Sequence, residues 1–105
     1  METLYGDVDP ALKPKMEAAM IPHALAAFET TATAPAWAET AFDGRRAYIR
    51  TLNDQCNPLF AQDMWLEKSG VQWDTVDMMA AHCPFISRPA DVAELSVGFF
   101  EKWAE

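Results

Sequence analysis

Two short segments, TLNDQCNP at 51–58 and MMAAHCPFISRP at 78–89, each carry one ionisable side chain in a loop behind an apolar run. The first supplies Asp54 and the second His82. If the apolar runs are strands, both residues lie beyond the carboxyl ends of those strands, where open α/β sheets gather ligands and chemistry. They are 28 residues apart, the length of one crossover helix and one strand, so their loops can be neighbours at one sheet edge. A carboxylate placed there accepts a hydrogen bond from one ring nitrogen of His82, fixes its tautomer and stabilises the imidazolium. The other nitrogen is then free to act as a base. The plainer alternative is a structural hydrogen bond that carries no chemistry.

The elements around these loops follow from punctuation and period. AYIRTL (47–52) is β-rich, and VQWDTVDMM (71–79) returns to strand. Between them, NPLFAQDMWLEKSG (57–70) reads as a helix with Asn57 as cap, Pro58 in its first turn and Gly70 beyond its end. A last helix spans Pro89 to Ala104, with Val92, Leu95, Phe99 and Trp103 on one stripe. Strand, helix, strand, helix is a βαβα unit, which requires parallel strands and a right-handed crossover. Trp65, Trp73 and Trp103 are expected in its core.

The first third is helical in pattern. Asp9 is placed to cap a helix with Pro10 in its first turn and Leu12, Met16, Ala19 and Met20 at helical spacing, stopped by Pro22. A second short helix is expected from Pro22 to Phe28, followed by an irregular stretch that ends at Gly44. The chain thus divides into a helical segment, 1–44, and a βαβα unit, 45–105.

With 8 basic against 16 acidic residues and a net charge of −8, the surface repels a phosphate backbone. Nucleic acid and anionic membranes are therefore not expected partners. The acidic start, METLYGDVDP, lacks the basic and apolar regions of a secretory signal. No apolar run approaches the roughly 20 residues of a membrane span. The expectation is a soluble, cytoplasmic chain with its two cysteines reduced. Neither the cysteines nor the two histidines have the spacing of a zinc site, and no metal or cofactor is expected.

The order of strand, ND, P, a helix ending in EKSG, strand, AAHCPFISRP and a closing amphipathic helix resembles the C-terminal part of the α/β-hydrolase fold, in its hydroxynitrile lyase and methyl-ester esterase branch. The resemblance implies that Asp54 is similar to the triad acid and His82 to the triad base, and that Tyr5 to Trp37 is similar to the lid over the pocket. The departure is larger than the match: in that family the nucleophile is carried in a G-x-S-x-G elbow upstream of the lid, and this sequence contains no such motif. The serines present, Ser69, Ser87 and Ser96, are at helix ends or inside a helix. The fold expected is α/β, a truncated hydrolase-like unit with two parallel strands. Two strands are too few for a stable parallel sheet, so completion by self-association or by a complementing N-terminal hydrolase chain is expected.

Three classes of function fit these readings. One is acid–base chemistry by His82 and Asp54 on a small apolar molecule, of lyase, isomerase or cyclase type. Another is a serine-hydrolase fragment whose nucleophile comes from a second chain. The third is a non-catalytic binding or assembly module. Candidate substrate contacts are Trp37 from the irregular stretch, with Cys83 and Phe85 from the loop of His82. Plain packing is the alternative for Trp37, and a small buried thiol the alternative for Cys83.

Overall fold

The computed structural model describes residues 2–104 as a small mixed α/β unit. In chain order the helices are α1 (Glu2–Tyr5), α2 (Lys13–Ala19) and α3 (Leu25–Glu29), and two single 3₁₀ turns follow at Ala36–Ala38 and Thr40–Phe42. Strand β1 (Ala47–Thr51), helix α4 (Leu59–Lys68), strand β2 (Asp74–Met78), and helices α5 (Pro84–Ser87) and α6 (Pro89–Ala104) complete it. The strands pair in parallel, from Ala47 opposite Asp74 to Thr51 opposite Met78.

Alternation along β1 sends neighbouring side chains to opposite faces. Ala47 and Ile49 line a cavity of about 160 Å³ with Ser96, Phe99, Phe100 and Trp103 of α6. Tyr48 lines one of about 170 Å³ with Trp65, Leu66 and Ser69 on the α4 side, and Arg50 reaches Asp63 of α4 at 3.3 Å. The two long helices therefore cover opposite faces of the sheet, as a parallel sheet requires. On α6 the expected stripe of Val92, Leu95, Phe99 and Trp103 is half-buried, while Val97 and Phe100 are more than half exposed.

Several local expectations change. Pro58, not Asn57, occupies the position before α4, with no side-chain cap. Asn57 instead gives its backbone N–H to Asp54. Gly70 does end the helix in the left-handed conformation, at φ 68°. Trp65 is 46 % exposed rather than in the core. Strand β2 starts at Asp74, whose N–H bonds to the Arg46 carbonyl, and ahead of it Trp73 donates its indole N–H to the Ser69 hydroxyl at the end of α4.

The first third departs further. Asp9 Oδ1 accepts the Ala11 N–H at 2.9 Å and closes a local turn, so the helix starts at Lys13 instead of Pro10. Ile21, Leu25 and Phe28 are 86, 69 and 73 % exposed, with no other element among the described residues covering them. Buried Arg46 ties the end of this segment to β1, donating to the carbonyls of Trp37 and Glu39 and pairing with Asp43 at 2.7 Å. No helix among the described residues is long and apolar enough to cross a membrane.

Candidate active site

The two loops meet at the carboxyl end of the sheet. Backbone pairing continues two residues past each strand, with Leu52 N–H bonded to Met78 and Asn53 N–H to Ala80. There the chain leaves β1 in a tight turn and drives Asp54 inward, to 8 % exposure. Its Oδ1 accepts the backbone N–H groups of Cys56 and Asn57 at 2.9 and 2.8 Å. Oδ2 accepts the Thr51 hydroxyl at 2.9 Å and His82 Nδ1 at 2.9 Å. Burial pushes the Asp54 carboxyl upward, but the Asn57 N–H, the His82 ring and the Thr51 hydroxyl outweigh it and hold the pKa below the ordinary carboxylate value.

An ionised Asp54 only accepts, so the network assigns the ring proton of His82 to Nδ1. Nε2 of the neutral imidazole is then a bare base. The His82 side chain is 26 % exposed, and Nε2 has no hydrogen-bond partner among the described residues. This is the arrangement of a histidine held by a carboxylate with one nitrogen presented outward, able to take or give a proton.

Of the candidate substrate contacts, Cys83 and Phe85 lie beside His82. Cys83 is buried, and burial followed by the charges of Asp54 and Asp7 pushes its thiol pKa up, so it is a neutral thiol at pH 7 and not a nucleophile. Phe85 is 61 % exposed on α5. The structure does not bring Trp37 to this site. Its ring packs 5.7 Å from that of Trp73, ahead of β2, and five residues of strand, about 16 Å, separate that end from His82. His23 is exposed, with its ring 4.6 Å from that of Phe28.

Each serine hydroxyl is engaged elsewhere. Ser69 donates to Leu66, Ser96 to Val92 and Ser87 to Asp7. Among the described residues no cluster of His, Cys, Asp and Glu could hold a metal ion. Three residues that the sequence reading passed over also shape the site. Thr51 orients Asp54; Gln62 clamps the end of β1; Asp7 holds the loop of His82. Thr51 and Asp54, three apart across a turn, are a local signal that was there to find. Asp7 is 74 residues from its partner Ala81 and has none.

Family models, curated proteins and solved structures were each compared with the chain, and none matches it.

Proposed function

We propose that the chain is an α/β-hydrolase-derived acid–base unit, in which His82 moves a proton at Nε2 of a small, mostly apolar substrate under the orienting charge of Asp54. The observation that carries this reading is the 2.9 Å contact between His82 Nδ1 and a buried Asp54 that already accepts three other hydrogen bonds. A carboxylate so fully coordinated cannot turn away, so the imidazole keeps one tautomer and Nε2 keeps its direction. Such a pair contributes about 10²–10⁴-fold in rate without a covalent step. Met79 and Phe85, three residues before and after His82 and 60 and 61 % exposed, offer apolar surface to the substrate, and proton transfer of this kind is a step that lyase, isomerase and cyclase reactions share.

The test is exchange of the acidic C–H protons of small apolar ketones in deuterated water, followed by NMR. We expect the chain to accelerate exchange, His82→Ala to lose about 10²-fold or more, and Asp54→Asn to fall sharply by spoiling the tautomer. Equal exchange in all three folded proteins would defeat the reading.

A second reading is favoured by one observation. The accessible surface is 7689 Å², against about 5,900 Å² for a folded chain of 11.7 kDa. On this reading the pair serves a serine nucleophile carried by another polypeptide that covers the surplus surface. Ester hydrolysis that appears only on adding such a chain, and is lost with His82→Ala, would separate it from the first.

A further inference from the structure

The loop that carries His82 has left the sheet: the ladder ends at the bond between Asn53 and Ala80, and β1 offers nothing to the next residue, Ala81. A side chain from the far end of the sequence takes over. Asp7 Oδ2 accepts the Ala81 N–H at 2.8 Å and the Ser87 hydroxyl at 3.0 Å. The two donors bracket His82, one just before it and one at the end of α5. One carboxylate oxygen therefore joins both sides of the loop.

The segment that carries Asp7 is itself fitted to this place. Val8, the next residue, is 2 % exposed. At Gly6 an added Cβ would stand 2.9 Å from the Glu2 carbonyl oxygen, so the turn after α1 closes tightly only with glycine, and that position lies within ordinary contact, 3.8 Å, of the Ala81 side chain. Lys13 braces the same turn, pairing with Glu2 at 2.8 Å and reaching the Gly6 carbonyl at 3.4 Å.

We infer that Asp7 is a positioning residue for His82, locking the loop backbone while Asp54 locks the ring. This rests on the acid–base reading for its functional meaning, and on the contacts of Asp7 alone for its structural content. Asp54 can fix a tautomer only if the ring arrives at the right distance. That distance is set by the backbone of residues 81–83, which Asp7 holds through Ala81. Its role needs an acceptor at this position rather than a charge, so asparagine should replace it and alanine should not.

The experiment is two-bond ¹H–¹⁵N correlation NMR of the histidine rings, with amide exchange of Ala81, in the whole chain and in Asp7→Ala and Asp7→Asn. The native chain and Asp7→Asn should show His82 protonated at Nδ1 with a protected Ala81 amide. In Asp7→Ala the two ring nitrogens of His82 should converge toward an averaged tautomer, and Ala81 should exchange about ten-fold faster, the worth of one lost hydrogen bond. The His23 ring, exposed and remote in sequence, serves as internal control and should not move. Unchanged His82 resonances in folded Asp7→Ala, or equal disruption by alanine and asparagine, would overturn the inference. If Asp7→Ala does not fold, Asp7→Glu replaces it: its extra methylene displaces the acceptor, and an undisturbed His82 ring there counts equally against us. The spectra need no turnover, so a failure here leaves the acid–base reading standing, whereas native-like spectra in a chain without activity defeat that reading alone.

Discussion

Asp54 is the residue on which the site turns, and its ionisation should be visible in stability. Its folded pKa lies below the ordinary 3.8, because the donors around it outweigh the opposing effect of burial. At acid pH the unfolded chain therefore binds the proton more readily than the folded one. The resulting stabilisation is present above the unfolded value and is lost as pH falls through the folded one. Urea midpoints should fall as pH drops below about 4, and fall less steeply in Asp54→Asn. Cys83 carries the opposite sign. Its pKa is raised from 9.0 by burial and then by neighbouring acids, so its contribution is complete below the unfolded value and is lost as pH rises through the folded one. The same burial separates the two thiols by reactivity. Cys56 is exposed and Cys83 buried, so a thiol reagent should label Cys56 at once in native protein and Cys83 only on unfolding; mass spectrometry showing equal labelling would contradict the packing of the His82 loop.

At the scale of elements, the outer edge of β1 is closed by a side chain at its carboxyl end. Leu52 N–H turns toward β2, so by alternation Thr51 points its N–H and carbonyl away from β2. Gln62 of α4 meets both: its Oε1 accepts the Thr51 N–H at 3.1 Å and its Nε2 donates to the Thr51 carbonyl at 2.9 Å, with a further bond to the Asn57 carbonyl at 2.7 Å. One side-chain amide thus stands where another strand would pair, and it is 1 % exposed. Gln62→Ala should cost about 1–3 kcal/mol in chemical denaturation, since it leaves the buried Thr51 N–H without a partner and takes one donor each from the Thr51 and Asn57 carbonyls. Gln62→Glu should be nearly as harmful, as a carboxylate cannot donate to the two carbonyls. A loss below about 0.5 kcal/mol for either would mean that the clamp is replaceable by water. Because Gln62 fixes the last residue of β1 and the entry to α4, it also fixes the turn that holds Asp54.

The whole molecule is less compact than its length warrants. Its radius of gyration is 15.8 Å, against about 13 Å for a domain of this size, and large apolar side chains including Phe60, Phe100, Ile21 and Phe28 are exposed. The surplus surface, about 1,800 Å² per chain, matches what obligate homodimers of about 2,000–5,000 Å² total hide. Its apolar part lies on Ile21, Leu25 and Phe28 in and before α3, on Phe60, Met64 and Trp65 of α4 and on Val97 and Phe100 of α6, and the outer edge of β1 at Ala47 and Ile49 has no counterpart to Gln62 among the described residues. We therefore expect light scattering at micromolar concentration to report a dimer or larger species. A monomer that unfolds cooperatively would show that this surface is tolerated in water, and would remove the argument for a second chain.

Local chemistry determined much of this protein. Proline, glycine and the apolar period were enough to place α6 with the bounds Pro89 and Ala104, to end α4 at Gly70, and to set two parallel strands with Asp54 and His82 beyond their ends. These signals are local because capping, turn geometry and amphipathic spacing act within a few residues. Tertiary structure decided the rest. Leu12 and Met20, read at the spacing of an apolar stripe, stay exposed because burial requires a facing surface, and periodicity says nothing of whether one exists. Trp37 shares its aromatic character with a pocket residue, but Arg46 anchors it at the amino end of the sheet, away from His82. Asp7 and Gln62 look like ordinary polar residues in the sequence. Their roles arise only where folding brings them to backbone groups that the two-stranded sheet leaves unpaired, because a buried N–H or carbonyl must find a partner wherever one is in reach.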